Sequence, residues 1–261
     1  MCKFFSVTSD GRGEIRYFDW EQRKRILDGE LDYNPDSHMS INDFFGYKGE
    51  LEDCRNRYEY NPITGVFTVD AIHGEDDSAE VERKARALDF SLIVPQLVIK
   101  PIKNPLLVKR KHLEPNAEEI SLLKRWASVW DLVWDSVWAS VRASVVASVW
   151  TSVWVSVRAS VWNSVWNSVW YSVGTTIGDS VWNSSGTSIG DSVWDSVGDS
   201  VWAYISSFFA LDEWQLNGEI VRENPFQPAI DLWEAGLVPS FDGEIWRLHA
   251  GKDAQIVYEM K

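Results

Sequence analysis

The chain has 261 residues, a net charge of −14 and 16 tryptophans. A surface that follows a phosphate backbone is strongly basic, so this charge argues against direct nucleic-acid binding. The basic cluster between 100 and 111 is short and is typical of a solvated linker; its members are Lys100, Lys103, Lys109, Arg110 and Lys111.

Cysteine and histidine content argues against several other classes. Cys2 and Cys54 are too few for a disulfide framework or a thiolate metal site. His73, His112 and His249 lie far apart and show no ligand spacing. The chain start lacks a signal-peptide core, and no apolar run approaches the ~18 residues of a membrane span. We therefore expect a cytoplasmic protein with no cofactor, no bound metal and no membrane contact.

The first 99 residues predict a small α+β domain. Their alternating apolar segments, turn residues and helix caps give a series of short elements. Ser40 is a suitable cap for the second helix. The expected strands lie at 3–8, 15–18 and twice within 58–69, and the expected helices at 20–27, 40–45 and 79–88.

A catalytic site is one hypothesis for this domain. Removal of the initiator Met would make Cys2 the first residue, as in amidotransferases with an N-terminal cysteine nucleophile, which Cys2 resembles in position. His38, beside Asp36, would supply the base that a thiol needs. Lys3 and Phe4 stand where those enzymes carry glycine, and Asp36 to His38 also fits a hydrogen-bonded loop. The sequence therefore leans against an enzyme.

Residues 100–127 predict a linker followed by a helix. The helix opens after Pro115, with acidic residues in its first turn and Lys124 and Arg125 toward its end. Its apolar residues favour a role as an N-terminal cap on the segment that follows.

Residues 128–205 repeat one four-residue phrase, Ser-Val-Trp-x. Valine or isoleucine fills one slot in almost every unit, and serine usually precedes it. Tryptophan, arginine or glycine usually follows, and the fourth residue is mostly small or polar. An α-helix has about 3.6 residues per turn, so a valine row of period four would rotate by about 40° per unit. Glycines such as Gly174 and Gly198 would each cost a helix about 1 kcal/mol relative to alanine.

These arguments favour a mainly β fold built on a β-solenoid with four residues per side and valine on its axis. A flat antiparallel sheet would need turn signals that are absent before Gly174. The arrangement resembles that of pentapeptide-repeat proteins, although each unit is one residue shorter. That resemblance implies an inward apolar residue. Internal shifts of both twelve and sixteen residues leave a three-sided and a four-sided coil open.

The slot after valine would face outward and form rows of aromatic and basic side chains. Such rows would be covered by the flanking domains, would pair two solenoids, or would bind carbohydrate. The candidate interaction surface comprises Trp130, Trp134, Trp138, Arg142, Trp150, Trp154, Arg158, Trp162, Trp166 and Trp170.

Residues 206–261 predict a C-terminal cap made of a helix at 228–235 and a strand-turn-strand hairpin after Phe241. Several motifs across the chain resemble phage and gut-bacterial proteins with Ser-Val-Trp-x repeats. They include Met1-Cys-Lys-Phe-Phe-Ser, Tyr58-Glu-Tyr-Asn-Pro and Leu237-Val-Pro-Ser-Phe-Asp-Gly. The resemblance implies a phage origin and carries no activity.

Three functions follow as expectations. The first is a non-enzymatic, oligomeric scaffold that works through protein contacts. The second is an enzyme that uses Cys2 and His38. The third is carbohydrate binding on stacked tryptophan rows.

Overall fold

The computed structural model describes residues 5–47, 54–94, 96–132, 137–148, 161–185, 191–216 and 219–261. The chain divides into two compact units. The N-terminal unit comprises 1–101 with 149–162, and the C-terminal unit comprises 102–148 with 163–261.

The N-terminal unit contains an antiparallel sheet with strand order β2-β1-β3-β4. Its helix at 20–27 lies where the sequence predicts one, and its other elements lie within two or three residues of the expected positions. The strands are β1 (Phe5–Ser9), β2 (Ile15–Arg16), β3 (Asn56–Asn61) and β4 (Val66–Ala71), and the helices are α1 (Trp20–Leu27), α2 (His38–Phe44) and α3 (Ser78–Ala87).

Local chemistry fixes where α1 and α2 begin. The Asp19 carboxylate accepts from the Gln22 amide at 2.9 Å, and the Gln22 side chain accepts from the Asp19 amide at 3.0 Å. This capping box satisfies two amides that the first turn would otherwise leave free. Ser37 caps α2 through the Ser40 amide, so the cap lies three residues before Ser40, the residue expected from the sequence.

The C-terminal unit combines long helices with two small antiparallel sheets, one of order β5-β6 and one of order β7-β8-β9. A short 3₁₀ turn, Pro105–Leu107, precedes the first helix. The helices are α4 (Ala117–Leu132), α5 (Val137–Ser148), α6 (Tyr171–Ser185), α7 (Asp191–Ser206) and α8 (Gln227–Glu234); the strands are β5 (Trp214–Leu216), β6 (Glu219–Val221), β7 (Leu237–Phe241), β8 (Trp246–Ala250) and β9 (Gln255–Met260).

The β-solenoid prediction for 128–205 is wrong, and so is the mainly β fold class. The described part of this tract is helical, in a chain that mixes helices with small separate sheets. The predicted cap helix does not end at the tract, because α4 continues through Leu132. Within the described residues, no helix combines the length and apolar character needed to cross a membrane.

Valine does face the interior, but from helices. The aliphatic slot is buried in α5, in the helical stretch 161–185 and in α7. The buried residues are Val137, Val141, Val161, Val165, Val169, Val173, Ile177, Val181, Val193, Val197, Val201 and Ile205. Over the four buried units of α7, from Val193 to Ile205, the expected rotation of about 40° per unit adds up to about 120°. A short helix can therefore keep a period-four row within a broad buried face.

A π-helical turn contributes to the same alignment. Residues Trp166–Trp170 form it, immediately before α6. A π turn closes an i→i+5 hydrogen bond and so contains more residues than an α turn. It therefore rotates a period-four row back against the drift of the α-helical turns. Val165, Val169, Val173 and Ile177 all remain buried across it.

The positions of the buried serines are compatible with a helix and not with a strand. In a strand, adjacent serine and valine point to opposite faces, whereas Ser144, Ser196 and Ser200 are buried beside the valine row. Their hydroxyls donate to their own helix, as from Ser144 to the Ser140 carbonyl at 2.7 Å and from Ser200 to the Ser196 carbonyl at 2.9 Å. Each buried hydroxyl is thus satisfied locally.

Some of these serines also hold the small sheets. The Ser144 hydroxyl accepts from the Gln215 amide on β5 at 2.7 Å, and the Ser196 hydroxyl accepts from the Phe241 amide on β7 at 2.8 Å. Ser180 donates to the Ala254 carbonyl at 2.6 Å in the turn before β9. The repeat helices therefore provide polar contacts for strand backbone as well as an apolar face.

Candidate functional site

The proposed catalytic residues of the N-terminal unit fall in different settings. Cys2 lies outside the described residues. The Asp36 carboxylate accepts from Arg23 at 2.6 Å, and both side chains are only 1% exposed. Arg23 also donates to the Phe18 and Pro35 carbonyls, at 2.9 and 3.3 Å. Asp36 therefore joins α1 to the loop before α2, which is a structural role.

His38 is the first residue of α2 and is buried. Its Nε2 lies 2.9 Å from the Tyr58 carbonyl on β3, which can only accept, so Nε2 carries the proton. Burial lowers the pKa of His38, while the charge of Asp70 raises it and that of Arg57 lowers it further. The imidazole is consequently neutral near pH 7, with its Nδ1 lone pair unprotonated.

Two carboxylates accompany His38, and sequence reasoning missed both. One ligand atom from each of His38, Glu59 and Asp70 lies within 4.8 Å of the others. Glu59 is buried on β3, whereas Asp70 on β4 is exposed. These three residues come from separate segments and meet only in the folded chain. Their spacing in the sequence therefore gives no indication of the cluster.

A β-bulge places Asp70 in this cluster. On β3 and β4, Tyr58 pairs with Val69 and Arg57 pairs with Ala71, so Asp70 is the extra residue. Bulges redirect side chains and occur often beside functional sites. The irregularity occurs at Tyr58, whose carbonyl binds His38.

The candidate tryptophan surface divides into buried and more accessible members. Trp130 is buried by residues of the C-terminal segment, which is one of the alternatives that the sequence left open for the tryptophan rows. Its indole donates to the Asp199 carboxylate at 2.8 Å, and its ring packs edge-on against Phe241 and Trp246 at 5.3 and 5.4 Å. Trp130 is therefore part of the core of the C-terminal unit.

The remaining members of that surface differ in exposure. Arg142 is exposed, and Trp162, Trp166 and Trp170 are half-buried. The side chains of Trp134, Trp138, Trp150, Trp154 and Arg158 lie outside the part of the chain that the structure describes.

Four tryptophans in the C-terminal unit form a connected group, here called the tryptophan cluster: Trp166, Trp170, Trp194 and Trp202. Trp166 stacks on Trp170 with ring centroids 4.3 Å apart. Trp170 meets Trp194 at 5.6 Å, and Trp166 meets Trp202 at 6.4 Å. Trp194 is 42% exposed, so the cluster reaches the surface of its unit.

Glycines in the tryptophan slot make room for these rings. A Cβ on Gly174 would lie 2.8 Å from the Trp194 ring, and one on Gly178 would lie 3.8 Å from it. A Cβ on Gly198 would lie 3.4 Å from the Trp170 ring. Glycine on one helix thus faces tryptophan on the next. Glycine in this slot therefore lets a tryptophan ring of another helix lie close to the helix backbone.

Two titratable groups with shifted pKa values lie in the same unit: Asp199, which is half-buried, and His249, which is buried. Burial raises the pKa of Asp199 to about 7, against the hydrogen bond from Trp130. Burial lowers the pKa of His249 to about 4. His249 Nδ1 donates to the Ala254 carbonyl at 3.0 Å, and its Nε2 accepts from the Ser240 hydroxyl at 2.8 Å. His249 is therefore held neutral inside the β7-β8-β9 sheet.

An open cavity of about 520 Å³ lies in the N-terminal unit between the β1-β2 turn and α3. Its cations are paired: Arg16 with Glu14 at 2.6 Å, and Arg83 with Glu80 at 2.8 Å. Lys84 also lies 3.4 Å from Glu80. The balance of charge gives this cavity no preference for an anionic ligand.

The basic linker cluster is likewise used within the chain. Arg110 is half-buried and pairs with Glu119 at 2.8 Å, and Lys103 pairs with Glu234. These contacts attach the linker to α4 and α8 rather than leaving its charge fully solvated.

Comparison with known proteins gives no relative: no family model, no curated protein and no solved structure matches this chain.

Proposed function

We propose that this chain works through protein–protein contacts made by its tryptophan-rich helices, and that it pairs with a second copy of itself. The observation that carries the proposal is the tryptophan cluster, whose rings contact one another and reach the surface at Trp194. Tryptophan is enriched at the energetic centres of protein interfaces. An exposed aromatic patch is a liability in a protein that remains monomeric.

The packing within the unit supports a second copy of this chain as the partner. Trp194 already packs against the glycine notch formed by Gly174 and Gly178. Because the tract repeats one phrase, a second copy carries the same tryptophans and the same notches. Identical chains can therefore offer self-complementary surfaces, as a two-fold dimer requires. The tract carries only two basic and six acidic residues, so charge repulsion between the tracts of two copies is small.

Carbohydrate binding has weaker support. A sugar ring packs on a free aromatic face, but Trp166 and Trp170 stack on each other at an interplanar angle of 24°. One face of each ring is therefore covered by the other ring and is not available to a sugar.

Sedimentation equilibrium of the full chain across low to high micromolar concentrations tests the proposal. We expect a dimer or larger species that dissociates on dilution. Trp194→Ser should weaken association at least about tenfold, since interface tryptophans commonly contribute 2 kcal/mol or more. Leu132→Ser is the matched control, because Leu132 is an exposed apolar residue of α4 outside the cluster.

Circular dichroism should first establish that both variants remain folded. A monomer at every concentration would contradict the proposal. Equal association of Trp194→Ser and Leu132→Ser would also contradict it.

A further inference from the structure

We infer that His38, Glu59 and Asp70 form a binding site for a divalent metal ion of the Zn²⁺ class. The site lies in the N-terminal unit and is distinct from the tryptophan cluster on which the proposed function rests. Three potential ligand atoms, one nitrogen and two oxygens, lie within 4.8 Å of one another. Zinc ligands lie at about 2.0–2.2 Å from the metal, so any two are at most about 4.4 Å apart. Small side-chain rotations would therefore bring this set to bonding distance.

The hydrogen bond of His38 matches that of a metal-binding histidine. Such residues usually donate one ring N–H to a carbonyl or carboxylate, which fixes the tautomer and presents the other nitrogen to the metal. His38 Nε2 donates to the Tyr58 carbonyl at 2.9 Å. Nδ1 is then the nitrogen available as a ligand.

A divalent cation also needs negatively charged ligands, which the two carboxylates can supply. As carboxylates, Glu59 and Asp70 would supply two negative charges to a divalent cation, beside one imidazole nitrogen. Glu59 is 3% exposed, so it would hold the ion on the buried side of the site, and the exposed Asp70 would hold it on the solvent side. Arg57 is the competing cation, since it lies on the same strand and its charge acts on His38.

The three protein ligands would leave room at the metal ion for a further ligand. Structural zinc sites are usually closed by four protein ligands, whereas three protein ligands leave a position for water or substrate. Asp70 is exposed and lies at the β-bulge, which gives an ion access from solvent. Mixed nitrogen and oxygen donors suit Zn²⁺, whereas Mg²⁺ and Ca²⁺ prefer oxygen ligands alone.

The test is calorimetric titration of the full chain with ZnCl₂, accompanied by the absorption spectrum of the Co²⁺-loaded protein. We expect saturable binding of one Zn²⁺ at this site and cobalt bands without a thiolate charge-transfer transition. Asp70→Asn should weaken Zn²⁺ binding at least about tenfold, because it removes an anionic ligand. Asp70 is exposed, so this variant should keep the thermal midpoint of the metal-free protein.

Asp32→Asn is the matched control, since it makes the same substitution at an exposed position of the same unit. It should bind Zn²⁺ like the wild type. Equal affinities of the two variants would overturn the site. So would a thiolate band that indicates Cys54, or uptake of Mg²⁺ without Zn²⁺.

Discussion

The two units of this protein satisfy their buried polar groups in different ways. In the N-terminal unit, several buried or half-buried polar groups have particular partners from distant segments. The Asp77 carboxylate, for example, accepts from Tyr58 at 2.6 Å, from Asn56 at 3.0 Å and from Ser9. In the repeat helices, each serine hydroxyl can be satisfied by a carbonyl one turn earlier in the same helix, as Ser200 is by Ser196.

This difference shows how a repetitive sequence can make a folded unit. A serine that is satisfied within its own helix needs no specific neighbour, so units can be duplicated without leaving polar groups unpaired. Specificity then comes from the slot after valine, where glycine meets tryptophan. In the N-terminal unit, by contrast, specificity is spread over individual polar pairs.

The largest effect expected from this comparison is the loss of a buried pair in the N-terminal unit. Asp36→Ala would leave Arg23 as an unpaired cation that is only 1% exposed. Breaking a buried ion pair in this way costs about 3–5 kcal/mol. Chemical denaturation should show this loss. Glu30→Ala, which removes an exposed partner of Arg25, should cost less than about 1 kcal/mol; similar losses in both variants would contradict the account.

The second prediction concerns a position where the structure has glycine. Tryptophan, which is common after valine in the repeat, is placed there instead. Gly174→Trp converts this unit to Ser-Val-Trp, yet a Cβ alone at this position would lie 2.8 Å from the Trp194 ring. We expect a loss of about 2–3 kcal/mol from overpacking. Thermal and chemical unfolding measure it. Unchanged stability would mean that the slot does not determine helix packing.

The third prediction concerns pH and the core of the C-terminal unit. The folded pKa of Asp199, about 7, exceeds its unfolded value of about 3.9. Between these values the folded state binds a proton that the unfolded state does not, so this group makes stability fall as pH rises from about 4 to 7. Asp199→Asn keeps an acceptor for Trp130 and cannot ionise.

The variant should therefore be more stable than the wild type at pH 8 by about 1–2 kcal/mol, after allowance for partial solvent access. The difference should shrink at pH 5. His249 titrates in the opposite direction, since its lowered pKa removes stability as pH falls below about 6.5. Because His249 is present in both proteins, its contribution cancels in the difference, and a pH-independent difference would contradict the role of Asp199.

The smallest expected effect is a gain in the free energy of unfolding. Gly178→Ala adds a Cβ at 3.8 Å from Trp194, which is an ordinary contact distance. Alanine is favoured over glycine in a helix interior by about 1 kcal/mol, so we expect stabilisation of about 0.5–1 kcal/mol. Differential scanning calorimetry detects this change. A loss of stability would argue that residue 178 is not in a helix.

The sequence predicts the N-terminal unit better than the repeat because its signals are local. The turn between β3 and β4 carries proline and glycine, and α1 begins after a capping aspartate. The four-residue period has no such marker. It is compatible with a strand that alternates and with a short helix whose apolar face is broad. The weak helix propensities of valine, serine and glycine pointed to the strand, but tertiary packing outweighed them.

The candidate sites were also difficult to predict from the sequence, because their residues meet only in the folded chain. His38 stands out in the sequence, but as a catalytic base for Cys2 and not beside Glu59 and Asp70. The bulge that adds Asp70 to the cluster depends on the pairing of β3 and β4. The burial of Trp130 likewise depends on Asp199, Phe241 and Trp246, which are distant in sequence.

The most direct test of the account is nuclear magnetic resonance of the full chain labelled with ¹³C and ¹⁵N at valine. Val165, Val169, Val173, Val193 and Val197 are buried on helices in this structure. We expect their ¹³Cα resonances to be displaced in the direction typical of α-helix, with slowly exchanging amides. Displacement of these resonances in the direction typical of strands would contradict the helical assignment and the packing of glycine against tryptophan that depends on it.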